Sequence, residues 1–345
     1  MFIHKSYSIK NLILFTKNHI LFIFVWNLIM AIGFKYAGFQ SLSIPVSLIS
    51  ILGTATAFYL GFKNNSSYAR LWEARKIWGG IINTSRSMAN DILNLTSKSE
   101  NLDKNFSTDS IDIIKRIIRR QIAWAYALRS SLLTPTSWEH SEQKGAVGKK
   151  ASEFRKKNGV NLSDIDKKYE LSHQYIKNDE FNKVLKYSNI STQLLKLQGE
   201  DFKLLRDSSN IDAFSHIHLQ KHLNDFYSLQ GKCERIKKFP LPRQYATASL
   251  LFVRIFVLIL PLAILPLFLN SDSLTYWLSV PSLALISWVF IFMELVGDFS
   301  ENPFSGLASD IPMLSLCRTI EIDLLEMMDE EVTVEPIKPI DGVLI

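Results

Sequence analysis

Four long stretches of this chain are nearly free of charged residues, which is the pattern of membrane spans. They cover residues 19–39, 42–62, 245–270 and 273–293. The second and the fourth are 21 residues each without a charge, and the third carries Arg254 alone. A bilayer core about 30 Å thick is crossed by about 20 apolar residues in a helix. Because a helix satisfies its own backbone hydrogen bonds in lipid, the sequence predicts four transmembrane helices.

Basic residues are concentrated at one end of each predicted span. The residues that precede the first span are Lys5, Lys10 and Lys17. Those that follow the second are Lys63, Arg70, Arg75 and Lys76, and those that precede the third are Lys232, Arg235, Lys237, Lys238 and Arg243. The opposite loops hold only Lys35 and Asp272. The positive-inside rule therefore predicts an inner (plasma) membrane protein with both termini and the long middle segment in the cytoplasm.

The pattern divides the chain into five segments. They are a cytoplasmic N-terminal segment (1–18), two spans (19–62), a cytoplasmic region (63–244), two further spans (245–296) and a cytoplasmic C-terminal segment (297–345). Within the cytoplasmic region, apolar residues recur at helical spacing in 70–90, 111–133, 181–205 and 211–236. Residues 136–170 are rich in Lys and Ser, which predicts loop with short helical pieces. We therefore predict an all-α protein.

Net charge and motifs exclude several function classes. The formal charge is +6, but the positive charges flank the spans and do not form the basic face of a nucleic-acid-binding fold, so we expect no nucleic-acid partner. The signatures of phosphate loops, zinc proteases, serine hydrolases and dinucleotide folds are absent. We therefore predict that the chain is not an enzyme and needs no cofactor.

Three features could bind metals. The first comprises two cysteines, Cys233 and Cys317, which lack zinc spacing and are expected to stay reduced and unpaired. A second is the cluster of His216, His218 and His222. It could hold a metal or form a ring of imidazoles around a pore, but no nearby carboxylate or cysteine completes a ligand set, so a solvated helix face is favoured.

The third feature is an acidic turn after the fourth span. It carries Asp298, Glu301 and Asp310. Calcium requires six to eight oxygen ligands, so three carboxylates favour a simple helix-terminating turn. We therefore predict no metal site in the chain.

The second span carries a candidate pore lining. Thr54, Phe58 and Phe62 are spaced four residues apart, so they lie along one face of a helix. Small residues between them, such as Gly53 and Gly61, let neighbouring helices approach closely. In a monomer this face would be core packing, and spacing alone favours that interpretation. In a symmetric oligomer it would form a hydrophobic constriction that gates by dewetting.

Sequence motifs on both sides of the second span resemble those of the bestrophin family, in its bacterial branch. The motifs are GFKNNSSYARLWEARKIWGG at 61–80, NTSRS at 83–87, CERI at 233–236 with PLP at 240–242, and ENPF at 301–304 with DIP at 310–312. The residues that carry the resemblance include Arg70, Trp72, Glu73, Arg75, Trp78, Pro240, Pro242, Glu301, Pro303 and Asp310. They extend to about residue 326 and share the four-span layout.

The resemblance implies a homopentamer in the lipid bilayer, with one central pore for small monovalent ions. Animal members conduct anions of the chloride type, whereas some bacterial members prefer cations of the sodium type. By position, Thr54, Phe58 and Phe62 fall at the three apolar rings of the neck, although Thr54 is polar. Leu223 falls near the lower constriction. The acidic run that binds calcium in animal members is missing, so calcium gating is not expected.

Two other function classes remain open. A secondary transporter should show repeated halves, broken helices and polar residues at the membrane midplane. The spans contain prolines, but the two halves do not resemble each other. A membrane-anchored scaffold would instead use its cytoplasmic helices to bind a partner. The size of the purified complex separates a pentameric channel from both.

Overall fold

A computed structural model of the protein describes residues 1–3, 6–96, 108–160 and 165–345, and these residues form helices and connecting loops. The described helices are α1 (Ile9–Tyr36), α2 (Val46–Leu95), α3 (Thr108–Leu132), α4 (Ala146–Lys157), α5 (Ile165–His173), α6 (Asn178–Val184), α7 (Ile190–Asp207), α8 (Ala213–Lys238), α9 (Arg243–Ile264), α10 (Ser273–Ser300) and α11 (Met313–Met327). The predicted all-α class is confirmed.

Four helices are long and apolar enough to cross a membrane. They are α1, α2, α10, and α9 together with the short 3-10 turn that follows it to Phe268. The four predicted spans are therefore confirmed as helices. Helix α1 begins at Ile9, ten residues before the predicted start of the first span. The uncharged stretch marks the apolar part of a longer helix, because helices continue past the lipid wherever no residue stops them.

The chain divides into two compact units. The first, which we call the span unit, comprises His4–Arg70 and Pro240–Asn302. The second, the helical unit, comprises Met1–Ile3, Leu71–Phe239 and Pro303–Ile345. The five predicted segment boundaries stay a prediction. Helix α2 begins in the span unit and ends in the helical unit. It can continue across the boundary because none of its 50 residues is a proline.

In the span unit, α1 packs along α10 through buried aromatic and aliphatic residues. Two hydrogen bonds join the helices: the Tyr276 hydroxyl donates to the Ala31 carbonyl at 2.6 Å, and the Trp288 indole N–H to the Thr16 hydroxyl at 3.0 Å. At the predicted outer end, the Lys35 ammonium lies 4.9 Å from the centre of the Tyr276 ring. Such aromatic belts are typical of the lipid–water interface.

In the helical unit, α3 lies at the centre of the core and packs against α5, α7, α8 and α11. One of the charged groups that α3 buries, Arg120, is paired with two carboxylates. The Arg120 guanidinium donates to Glu180 at 2.5 Å and to Asp201 at 2.6 Å, and Arg116 donates to Asp201 at 2.5 Å. Buried charges are tolerated in a core when they are compensated in this way. The broad apolar stripe predicted for residues 111–133 is therefore a central helix.

Two regions differ from the sequence predictions. The helix predicted over 181–205 is two helices, α6 and α7, because Asn189 starts a new helix by accepting the Thr192 backbone N–H at 3.1 Å. Helix α11 was not predicted. It lies after Pro312, and its inward-facing Glu321 interrupts the apolar pattern while accepting hydrogen bonds from the hydroxyls of Tyr126 and Tyr175.

Both cysteines are buried and unpaired, as predicted. Burial raises the pKa of the Cys317 thiol to about 12, and burial also raises the pKa of the Cys233 thiol. Because the thiolate is the reactive form, we expect a water-soluble maleimide to leave the native protein unlabelled. In denaturant the same reagent should label two sites per chain, as measured by mass spectrometry. Labelling of the native protein at either thiol would contradict this burial.

Candidate functional site

Helix α2 presents one face that its own chain does not cover, which we call the α2 stripe. Its members are Ile51, Thr54, Ala55, Phe58, Gly61, Phe62, Asn65 and Tyr68. All are exposed, Phe58 at 69% and Phe62 at 49%. Sequence spacing alone favoured packing inside the chain for this face. That interpretation is wrong, because Thr54, Phe58 and Phe62 contact no core.

The opposite face of α2 is buried in the span unit. Thr56, Leu60, Lys63 and Ser67 are each at most 1% exposed. At Gly53 a side chain would lie 2.9 Å from the Phe256 ring, so a glycine is needed for this close approach of α9. The helix is therefore strongly two-sided, with one face packed and the other uncovered.

The part of the α2 stripe formed by Thr54, Phe58 and Phe62 presents a mostly apolar surface. The Phe58 and Phe62 rings meet edge to face, with centroids 4.6 Å apart. The Thr54 hydroxyl donates to the Ser50 carbonyl at 2.9 Å. Because this bond occupies the hydroxyl proton within the helix, Thr54 is less polar at the surface than its side chain implies.

A buried ion pair lies on the packed face of α2, opposite the α2 stripe. The Lys63 ammonium donates to Glu294 of α10, and the second oxygen of Glu294 accepts from the Ser249 hydroxyl of α9. The side chains of Lys63 and Glu294 are 1% and 6% exposed. The sequence pattern marks Lys63 as a topology signal and does not predict the pair. It joins three spans, α2, α9 and α10.

Motif residues of the span unit tie α2 to the end of α10. The Arg70 guanidinium donates to the Glu301 carbonyl at 2.9 Å. Arg243, at the start of α9, lies 3.1 Å from the Glu301 carboxylate, which is buried. Pro242 is the residue that precedes α9, and Pro240 lies two positions earlier. These motif residues hold helix ends in place.

Motif residues of the helical unit have mainly structural roles. Trp78 is fully buried in the core, and Pro303 is buried as well. The exposed pair of Glu73 and Arg235 joins α2 to α8 at 2.7 Å. Trp72 is 52% exposed, and Arg75 is half-buried beside Gly79. Apart from the ion pair of Glu73 with Arg235, the described contacts of these motif residues are packing contacts.

Asp310 organises the turn that follows α10. Its carboxylate accepts the backbone N–H groups of Phe304, Gly306 and Ile311 at 2.9, 2.7 and 2.7 Å. Phe304 and Gly306 both have positive φ, at 70° and 74°, so the turn needs this internal acceptor. Burial raises the pKa of the Asp310 carboxyl. The carboxylate is committed to the backbone, which agrees with the prediction that the turn is structural.

Leu223 is misassigned as a constriction residue. It is 2% exposed and packs in the core of the helical unit, close to Gly199 of α7. A residue enclosed by its own subunit cannot line a shared pore. On the same helix, the exposed large apolar residues nearer its start are Phe214, at 82%, and Ile217, at 66%. The register inferred for α8 therefore pointed to the packed face of the helix.

The histidine cluster gains a carboxylate from a distant part of the chain. The Nε2 atoms of His218 and His222 lie 2.8 and 2.7 Å from one Asp91 oxygen. The potential ligand atoms of these three residues all lie within 4.8 Å of one another, and His216 is not part of the group. No carboxylate close in sequence completes a ligand set, as predicted, but the fold brings the distant Asp91 of α2 to His218 and His222.

Comparison with known families explains the motif set. Residues 5–326 match the family described as bacterial/fungal bestrophin protein. The chain belongs to the bestrophin family. It is thus a multi-pass membrane protein, with the apolar helices α1, α2, α9 and α10 as its candidate spans.

Curated relatives of this bestrophin are named as channels. It is 30% identical over 303 residues to the voltage-dependent anion channel-forming protein YneE of Escherichia coli K12, covering 87% of this chain and 83% of the relative. A voltage-dependent anion channel-forming protein of Synechocystis is 23% identical over 297 residues, 86% of this chain and 80% of the relative.

Solved structures share the fold. A bacterial bestrophin homolog from Klebsiella pneumoniae superposes with a TM-score of 0.69 at 22% identity, covering 91% of this chain and 98% of the other. A crystal structure of a membrane protein with one substituted residue superposes with a TM-score of 0.71 at 22% identity, covering 92% and 100%. The arrangement of helices described above is therefore that of a bestrophin.

Proposed function

We propose that this bestrophin is a passive channel for small monovalent ions, and that α2 lines its neck in a homopentamer. The observation that carries the proposal is the α2 stripe. Thr54, Phe58 and Phe62 are exposed along one side of a helix whose other side is fully packed. In a pentamer, five such stripes placed around an axis would enclose a narrow apolar passage.

The length of α2 supports a pore lining rather than a lipid contact. A helix of 50 residues is about 75 Å long, whereas the hydrocarbon core is about 30 Å thick. The uncovered stripe continues through Asn65 and Tyr68 to Trp72. A face that only contacts lipid would be left uncovered just along the part of the helix that crosses the membrane. A face that lines a lumen would be left uncovered along the whole length of the pore.

The neck would act through dehydration. No charged residue lies on the α2 stripe between Ile51 and Phe62, so a permeant ion would lose part of its hydration shell without a compensating charge. We propose a second, lower ring at Phe214 and Ile217 of α8, in place of Leu223. Conduction would then depend on the diameter and wetting of two apolar rings.

The charge of the permeant ion can be determined by measuring reversal potentials. The names of the Escherichia coli and Synechocystis relatives favour anions. Purified protein in planar bilayers should show a reversal potential near the chloride equilibrium potential when sodium and chloride gradients are separated. A reversal near the sodium potential would assign the chain to the cation-conducting bacterial members. No current under either gradient would contradict a channel.

Family membership also weighs against the competing classes. Bestrophins are a channel family, which supports the prediction that the chain is not an enzyme, and a transporter or scaffold would not need the α2 stripe. We place the protein in the inner membrane, with both termini in the cytoplasm. Mass measurement in detergent should give five times 39.5 kDa. A monomer would contradict the shared pore.

A cysteine at position 58 tests whether the α2 stripe contacts water. Because Cys233 and Cys317 are buried and unreactive, Phe58→Cys in liposomes should be the reactive thiol towards a charged, membrane-impermeant methanethiosulfonate reagent. A thiol in a pore is hydrated and ionises, so we expect covalent modification that alters the current.

Leu285→Cys provides the matched control. Leu285 lies twelve residues after Ser273, the first residue of α10, and Phe58 lies twelve after Val46, the first of α2. Leu285 is 59% exposed, so it would face lipid in a pentamer that uses α2 for its neck. We expect no modification there. Equal reactivity at both positions, or at neither, would count against the proposed neck.

A further inference from the structure

The second half of α2 runs antiparallel to α8. Glu73 of α2 pairs with Arg235 of α8, Gly80 faces Leu229, and Asp91 meets His222 and His218. Residue numbers rise along α2 as they fall along α8. Asp91 therefore lies near the last turn of α2, opposite the first half of α8, where its carboxylate reaches two imidazoles.

The three side chains converge on one point. His218 and His222 are four residues apart, so both rings leave the same face of α8. Their rings lie 5.3 Å apart at 82° to each other, and both Nε2 atoms are directed at the same oxygen of Asp91, at 2.8 and 2.7 Å. This arrangement is a preformed triangle of two nitrogens and one oxygen.

The triangle has nearly the size that a metal needs. With metal–ligand bonds of about 2.0–2.1 Å in tetrahedral geometry, neighbouring ligand atoms lie roughly 3.4 Å apart. The ligand atoms here all lie within 4.8 Å of one another, with the oxygen 2.7–2.8 Å from each nitrogen. The oxygen would move away from each nitrogen by about 0.6 Å to admit an ion, and rotation of the three side chains can supply that adjustment.

The surroundings favour metal entry and a defined carboxylate orientation. His218 is 52% exposed, whereas His222 is 13% exposed and Asp91 is 22% exposed. An ion can therefore enter from the His218 side, which leaves the fourth position open to water. The Asn90 amide donates to the other Asp91 oxygen at 3.3 Å. Such contacts orient a ligating carboxylate and raise metal affinity.

The ligand types select a class of ion. Two imidazoles and one carboxylate suit zinc, and also cobalt, nickel and copper in their divalent states. Calcium and magnesium prefer sets made of oxygen alone, with six or more ligands. We propose that Asp91, His218 and His222 form a transition-metal site of the zinc class that links α2 to α8. This site is separate from the α2 stripe and does not depend on the ion that the pore conducts.

The test uses the full-length protein in detergent after removal of any polyhistidine tag. Isothermal titration with zinc chloride should give one ion per chain. Loss of a single partner that only orients a ligand lowers metal affinity by about 10–100-fold, so loss of a ligand in His222→Ala or Asp91→Asn should cost at least about tenfold. His216→Ala is the matched control on the same helix, and its zinc affinity should equal that of the wild type.

A second measurement separates ligand loss from misfolding. Cobalt(II) titrated into the wild type should give the intense visible bands of a tetrahedral site. The variant His218→Ala removes a half-exposed ring, so it should fold like the wild type in thermal melts while losing those bands. Calcium chloride should give no binding heat at this site.

Two outcomes would overturn the proposed site. The first is a wild-type protein that binds no zinc at millimolar concentration. The second is a double variant, His218→Ala with His222→Ala, that keeps the zinc affinity and the cobalt spectrum of the wild type. Either result would show that the three side chains form only a hydrogen-bonded contact between helices.

Discussion

Phe58→Ala should raise single-channel conductance severalfold in planar bilayers. The Phe58 side chain is 69% exposed and its ring stacks edge to face on Phe62, so in the proposed pentamer five such rings narrow the neck. Replacing the ring by a methyl group widens the passage and lowers the cost of dehydrating the ion. Little core packing is lost, so the melting temperature should change only slightly.

Phe22→Ala separates pore widening from a general effect of removing an aromatic residue. Phe22 lies on α1 and is 57% exposed, so its loss removes the same group from a different span. We expect its conductance to match that of the wild type. An unchanged conductance in Phe58→Ala, or an equal increase in both variants, would contradict the assignment of the α2 stripe to the neck.

Lys63→Met should lower the free energy of unfolding by about 3–5 kcal/mol, because it leaves the Glu294 carboxylate buried without its cation. The Ser249 hydroxyl would still donate a hydrogen bond to that carboxylate, but it brings no positive charge. Thermal or denaturant unfolding in detergent, followed by tryptophan fluorescence, measures the loss. Glu294→Gln should act in the same direction, because it leaves the ammonium group without its anion.

Removing both charges provides the internal control. Lys63→Met combined with Glu294→Leu should be near the wild type in stability, because a buried ion pair contributes little over apolar residues of similar volume. Arg235→Met breaks the exposed pair with Glu73 and should cost at most about 1 kcal/mol. A double variant whose loss of stability equals the sum of the losses in Lys63→Met and Glu294→Leu would show that the two residues are not energetically coupled.

The spans could be predicted because their signal is local. Twenty uncharged residues in a row are visible without knowledge of any partner, and the predicted positions agree with α1, α2, α9 and α10. Whether a given face of a span is packed or uncovered could not be predicted in the same way. Thr54, Phe58 and Phe62 share a face by periodicity, but whether that face is packed or uncovered depends on α9 and α10, about 200 residues away.

The burial of Leu223 and the approach of Asp91 to the histidines escaped prediction for related reasons. Leu219, Leu223 and Phe226 form the buried face of α8, whereas Ile217 is exposed. Both sets are apolar, so hydrophobicity alone does not distinguish a packed residue from one that lines a lumen. Asp91 lies 127 residues before His218. No sequence spacing predicts such a meeting, because it follows from the antiparallel packing of two helices.

Lys63 is both a basic residue at the end of a span and one partner of a buried ion pair. Counting basic residues at span ends assigns it to the cytoplasmic side, and it does lie at the end of the apolar part of α2. Its ammonium is nevertheless buried against Glu294. The topology rule counts charges and contains no information on what they contact, so the ion pair could not have been derived from it.

The unbroken course of α2 has a mechanical consequence. Phe58 and Asp91 are 33 residues apart on one helix, a distance of about 50 Å along its axis. No proline lies between them, so no position there lacks the backbone N–H that the helix ladder needs. A force on either residue therefore acts on the same helix as the other, although Phe58 belongs to the span unit and Asp91 to the helical unit.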